Sequence, residues 1–186
     1  MDEYVKIHNF KDSQKIEEEG FERQNDFYLK QFGHLPHRVS YVKYQDIQKS
    51  DRDLFIENKE GKIISISEKN RTKDFNDILF EIYSDYSRSK LGWGIDSAAD
   101  ILAYFLPSSV VLLDMQKIVG ILSDPENKMT KQVEDIGEGK KYRDIWINGV
   151  FYPVTIVKAL NKGYFSLSIT LKDEQLTNLG VRFKRF

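Results

Sequence analysis

The stretch DLFIENKEGKIISISEKNR, from Asp53 to Arg71, constrains the fold more than any other part of the chain. An apolar run, LFI, is followed by polar ENKEGK and then by the alternating run IISIS, the pattern of a β-hairpin whose turn holds Asn58 and Gly61. The second arm then delivers Glu68, Lys69 and Arg71 at its tip. Side chains alternate faces along a strand, so Ser67 and Lys69 share one face while Glu68 joins Ile64 and Ile66 on the other. A charge at such a place must be paired, solvated or bound to a metal, because burying it alone is costly.

Asp12 and Ser13 can cap a helix over about Gln14 to Gln31, with Ile16, Phe21, Phe27, Tyr28 and Phe32 as a rough apolar stripe and Gly33 as its end. HRVSYVKYQDI, His37 to Ile47, follows Pro36 and reads as a strand. DILFEIY, Asp77 to Tyr83, is a short apolar run with Glu81 inside it, and KLGWG, Lys90 to Gly94, reads as a loop. ADILAYFL and SSVVLLDM are apolar runs separated by Pro107, and QKIVGIL is a short helix. Residues 124–141, charged and containing Pro125, Gly137 and Gly139, read as a mobile loop. RDIWINGVFYPVTIV and KGYFSLSIT resume β alternation, with Asn148 and Gly149 as a turn. The order predicts an α/β or α+β chain, one domain being preferred over two. It has a core over 1–123, a charged loop over 124–143 and a β-rich extension over 144–186 packed on the same domain.

With 186 residues, 40% hydrophobic and 13% aromatic, the chain can bury a sizeable core. Its 28 Lys and Arg nearly cancel its 29 Asp and Glu, so any nucleic-acid-binding surface must come from local clustering. The lack of cysteine excludes disulfides, thiolate zinc sites and cysteine nucleophiles. MDEYVKIHNFKDSQK offers no apolar signal-peptide stretch, and Ile101 to Leu113, broken by Pro107, Ser108 and Ser109, is shorter than the about 20 residues that span a bilayer. These features predict a soluble, cytoplasmic protein without a membrane partner. There is no GxxxxGK, HExxH or GxSxG motif. His34 and His37 have the spacing of a zinc pair but no accompanying cluster of ligands, and read as two exposed loop histidines.

Asp53, Lys69 and Glu81 each stand in or beside an apolar strand. Carboxylates converging with a lysine form a hydrolytic set: the acids hold Mg²⁺ through oxygen, the metal sharpens a water and offsets phosphate charge, and the lysine orients the water or the phosphate. Asp53 before LFIENKEGK, Lys69 ending the next strand, Glu81 in DILFEI, then Gly92 to Gly94, Ala98 to Asp100 and Tyr104 follow one another in an order that resembles the PD-(D/E)xK, or restriction-endonuclease-like, nuclease superfamily, in a branch found in phage and bacterial genomes. The resemblance covers about Phe21 to Ile118. It implies a core of helix, three-stranded meander, helix and strand, a mixed central sheet flanked by helices, with the rest a mostly β C-terminal extension. It also implies Mg²⁺ or Mn²⁺ as cofactor and nucleic acid, DNA before RNA, as partner.

The sequence departs from the family pattern at one place. The acid of (D/E)xK belongs two residues before Lys69, where Ser67 stands. Glu68 can replace it only if a β-bulge re-aims it, or Glu81 can supply the carboxylate from its own element. On the active reading, Asp53, Glu81 and Glu68 hold the metal and Lys69 stands near the attacking water. Arg71, Lys73, Arg88 and Lys90 supply phosphate contacts, and Gly92 to Gly94 form either a loop whose Trp93 touches substrate or a turn anchored by a buried tryptophan. Lys128, Lys131, Lys140, Lys141 and Arg143 read instead as a solvated face, while the tail VRFKRF suits either base stacking or a last strand. Asp100 and Tyr104 fit either support of the site or helical spacing. The alternative to a DNA nuclease is an inactive nuclease-fold module that binds nucleic acid or docks on and inhibits a partner protein. A structural or assembly component is a third reading.

Overall fold

The computed structural model describes residues 10–39, 50–85, 88–124, 144–147, 150–158 and 165–186. The described elements are α1 (Phe10–Phe32), β1 (His37–Arg38), β2 (Leu54–Glu57), β3 (Ile63–Asn70), β4 (Ile78–Asp85), β5 (Lys90–Leu91), α2 (Trp93–Asp96), β6 (Ile101–Phe105), β7 (Val110–Asp114), α3 (Met115–Ser123), β8 (Asp144–Ile147), β9 (Val150–Lys158), β10 (Phe165–Leu171), α4 (Asp173–Asn178) and β11 (Phe183–Arg185). The protein is therefore α+β. The strand predicted over His37–Ile47 is seen at His37–Arg38, and its remainder from Ser40 lies outside the described residues, as do Asn148, Gly149 and all but the first residue of the loop expected over 124–143. Among the described residues no helix is long and apolar enough to cross a membrane.

The chain divides into two compact units, neither contiguous in sequence. The first takes residues 10–75, 97–116 and 180–186. It holds a six-stranded sheet in the order β1-β2-β3-β6-β7-β11. β2 and β3 form the predicted hairpin, in register from Leu54 opposite Ile66 to Glu57 opposite Ile63. In its turn the Asn58 side-chain oxygen accepts from the amides of Glu60 and Lys62, at 3.0 and 2.9 Å, and Gly61 takes the left-handed conformation, φ +76°. On its other side β3 runs parallel to β6, and β7 and β11 continue antiparallel. Phe27 and Tyr28 of α1 pack onto the face made by Leu54, Ile56, Ile66, Ala103, Phe105 and Val110. Each such side chain contributes roughly 1.5–3 kcal/mol on burial, so the apolar stripe of α1 determines which face it turns to the sheet.

The second unit takes residues 76–96 and 117–179 among those described. Its five strands, in the order β5-β4-β10-β9-β8, pair antiparallel throughout. DILFEIY is a strand here, with Ile78, Phe80 and Ile82 buried at alternate positions. KLGWG, expected as a loop, instead forms β5 and the start of the short α2. β10 pairs with β4 and β11 with β7, so the strands after residue 143 enter both sheets.

Asp100 and Tyr104 lie at and on a strand rather than at helical spacing, because β6 pairs with β3 over its whole length. Asp100 ties the entry of β6 to β3: its carboxylate accepts from the Ser65 amide at 2.8 Å and the Ser65 hydroxyl at 2.6 Å, and its own amide donates back to the Ser65 carbonyl at 3.0 Å. Burial pushes the Asp100 carboxyl up, but the two Ser65 hydrogen bonds, with the charges of Lys62 and Arg52, hold it below the usual range. The stabilisation from a lowered carboxylate is present above its unfolded pKa and is lost as pH falls through its folded one. Asp100→Asn is expected to cost about 1 kcal/mol near neutrality, discounted for the exposure of the side chain. Urea unfolding should show the deficit shrinking as the pH is lowered into and below the carboxylate range.

Candidate functional site

β3 carries the predicted lysine to the sheet end, and the segment before β2 brings the acids to it. Continuing the hairpin register past Leu54–Ile66 sets Asp53 opposite Ser67, on one face. The Asp53 amide donates to the Ile66 carbonyl at 2.9 Å, and its carboxylate accepts from the Glu68 amide at 2.7 Å. That carboxylate lies 3.7 Å from the Lys69 ammonium, and Asp51 meets the same ammonium at 2.6 Å. Asp51 is in the left-handed region, φ 58°, a conformation that aspartate tolerates better than most residues. Its neighbours hold the turn in place: the Ser50 carbonyl accepts from the Ala98 amide at 2.9 Å, and Arg52 donates to the Ala98 carbonyl at 3.1 Å.

Two carboxylates thus converge on one cation, leaving the trio with a net negative charge. Two buried oxygens on this side have no hydrogen-bond partner: the second carboxylate oxygen of Asp51 and the hydroxyl of Ser67. Unsatisfied buried acceptors are uncommon and call for a missing donor or ion. Asp51 is not among the residues singled out from the sequence. Its left-handed turn conformation lies outside strand alternation, so no periodic signal in the sequence points to it.

Glu68 points away from this trio. β3 keeps continuous register with β2 and β6, so the bulge needed to re-aim Glu68 does not occur, and the side chain stays on the α1 face. There it is nearly buried and paired with Arg38, which also donates to Gln24 at 3.2 Å and lies 4.9 Å below the Phe21 ring. Burial raises the Glu68 carboxyl, although the Arg38 hydrogen bond and charge pull it down. The Tyr28 hydroxyl beside it makes no hydrogen bond of normal geometry, and is raised well above its usual value first by burial and then by the Glu68 charge.

Glu81 belongs to the other unit, on β4 opposite Ser168, so the six-stranded sheet does not bring it together with Asp53 and Lys69. The glycines of GWG have a packing reason: a Cβ on Gly92 or Gly94 would meet the Glu81 carbonyl oxygen at 2.5 or 2.7 Å. Trp93 between them is half-buried against Phe80, with ring centroids 5.6 Å apart. Arg71 and Lys73 follow β3 in the first unit, whereas Arg88, 3.5 Å from the buried Asp85, and the exposed Lys90 are in the second. His34 is exposed, its ring nitrogens against the carbonyls of Leu35 and Glu57, and His37 is exposed on β1. Among the described residues no group of three or more His, Asp or Glu is placed to hold a metal.

Comparison of the chain with protein-family models, with curated proteins and with solved structures finds no match.

Two outcomes check this geometry. Gly92→Ala should destabilise the fold by about 1–3 kcal/mol, as overpacking against backbone does, read from the urea midpoint. Arg38→Met leaves the Glu68 carboxylate buried without its cation, at a cost of about 1–3 kcal/mol at neutral pH given the partial exposure of Arg38. A raised carboxyl binds its proton more tightly in the folded state, so the penalty of its charge disappears once pH falls below the unfolded pKa. The deficit of Arg38→Met should accordingly narrow in acid, and a deficit constant with pH would mean that lost packing dominates.

Proposed function

We propose that the six-stranded unit is a divalent-metal-dependent nuclease module acting on phosphodiester bonds in DNA, with Asp51, Asp53 and Lys69 as its working residues. The convergence of both aspartates on the Lys69 ammonium carries this reading. Asp51 supplies from the loop the second carboxylate that Ser67 cannot supply from the strand.

The residues fit a hard cation. Mg²⁺ is commonly held by only one or two carboxylates, keeping several waters and using substrate phosphate oxygens for the rest. Asp51 has a buried carboxylate oxygen with no hydrogen-bond partner, and Asp53 is held in orientation by the Glu68 amide. Bound there, Mg²⁺ or Mn²⁺ would offset phosphate charge and make a water more acidic. Lys69 contributes a positive charge at the same point, able to hold a phosphate oxygen or orient a water. Arg71 and Lys73 supply backbone contacts from the segment that follows. Glu68 is engaged by Arg38 and Glu81 stands on the other sheet, and this scheme uses neither as a ligand.

The strand order supports a restriction-endonuclease-like core. α1, the meander β1-β2-β3 and β6 parallel to β3 are in keeping with that core, whereas β4, β5 and the four-residue α2 stand between β3 and β6 in the chain where the resemblance calls for a helix. Two acids rather than three, with Ser67 at the motif position, favour a second reading: a module that grips nucleic acid without cutting it.

Purified protein should nick or degrade DNA with Mg²⁺ or Mn²⁺ and stop on chelation. Asp51→Asn, Asp53→Asn and Lys69→Ala should each lower the rate at least about a hundredfold, the usual effect of removing one preorganised charge-stabilising group. Glu81→Gln should leave the rate within a few fold. If no DNA is cut with either metal and calorimetry detects no metal binding that Asp51→Asn abolishes, the catalytic reading fails and the binding module remains.

A further inference from the structure

Residues 71–75 leave the tip of β3 next to the acid pair, and they are held rather than loose. The Arg71 amide donates to the Phe105 carbonyl at 2.9 Å, extending the β3–β6 ladder by one step, and the Ser108 hydroxyl donates to the Asp74 carboxylate at 2.8 Å. Alternation carries Arg71 to the same side of the strand as Lys69, with Asn70 turned towards Gln24 of α1. The Arg71 guanidinium lies 4.7 Å from the centre of the Phe75 ring. Phe75 is nonetheless 52% exposed, one of the largest apolar exposures in the unit.

A phenylalanine left half in water, with an arginine over its ring and the segment before it hydrogen-bonded at Arg71 and Asp74, presents an open aromatic surface. It has the chemistry of a stacking surface. A nucleobase can lie on its open part while the arginine, two residues beyond Lys69, attracts the adjoining phosphate. Bases inside a duplex are stacked on one another and cannot reach such a surface, whereas the bases of a single strand can.

We propose that Arg71 and Phe75 form a platform for an unpaired nucleobase, and that the strand delivered to Asp51, Asp53 and Lys69 is single-stranded. The substrate class rests on the nuclease reading above, whereas the platform stands on its own geometry. The closing experiment separates the two. The full-length protein is titrated, with chelator present, into three fluorescein-labelled probes of equal length: oligothymidylate, its duplex with oligodeoxyadenylate, and a strand whose central residues are abasic. Fluorescence anisotropy should show the single strand bound more tightly than the duplex. Phe75→Ala should weaken oligothymidylate binding by about five- to a hundredfold, the range of one lost base stack. The same substitution should leave the abasic strand unaffected, and Phe75→Leu, which keeps apolar bulk without a ring, should behave like Phe75→Ala. Equal or tighter duplex binding, an unchanged affinity of Phe75→Ala for oligothymidylate, or no binding of any probe would each overturn the proposal. Phe75-dependent binding together with an absence of cleavage in Mg²⁺ and Mn²⁺ would sustain the platform and reject the nuclease.

Discussion

β3 pairs antiparallel with β2 over Ile63–Ile66 and parallel with β6 over Ile66–Asn70, and the arrangement of the first unit depends on this continuous pairing. A strand in unbroken register cannot rotate a side chain to its other face without breaking the ladder that holds it. Ile64, Ile66 and Glu68 therefore go to the α1 side, and Ser65, Ser67 and Lys69 to the other. The hydrophobic requirement of Ile66, fully buried against α1, fixes the register, and the charged tip inherits its geometry from it.

The two faces of the tip handle charge in different ways. On the α1 face, Glu68 is desolvated and matched by Arg38, which Gln24 and Asn25 also bind, making a closed and largely satisfied polar network. On the opposite face, Asp51 and Asp53 share one lysine, and one Asp51 oxygen and the Ser67 hydroxyl have no hydrogen-bond partner. The first arrangement has the character of an internal brace, and its backbone amide also orients Asp53. The second has spare electrostatic capacity, the property on which the proposed metal and phosphate site rests.

Much of the local architecture was legible because it follows from short-range rules. The helix ending at Gly33, which takes φ +85° and donates its amide to Leu29 at 2.9 Å, the hairpin turn at Asn58 and Gly61, and the face assigned to Glu68 all follow from propensity and alternation. The site was legible only in part. Lys69 and Asp53 meet, as their order suggested, but Asp51 was passed over because a left-handed turn residue carries no periodic signal. The glycines of GWG are explained by contact with the Glu81 backbone, a neighbour eleven and thirteen positions back in the chain.

By itself the sequence determined the long helix ending at Gly33, the β2–β3 hairpin and which side of β3 each residue takes, because those depend on neighbours a few positions away. The β5 strand and short α2 of KLGWG, which read as a loop, did not follow from it. Which strands share a sheet was decided only in three dimensions. DILFEIY pairs with β10, some ninety residues later, and ISISEKNR pairs with β6, so Glu81 and Lys69 belong to different sheets although they are twelve residues apart. Strand pairing is chosen by the burial of whole faces against partners distant in sequence, and no local pattern encodes that choice.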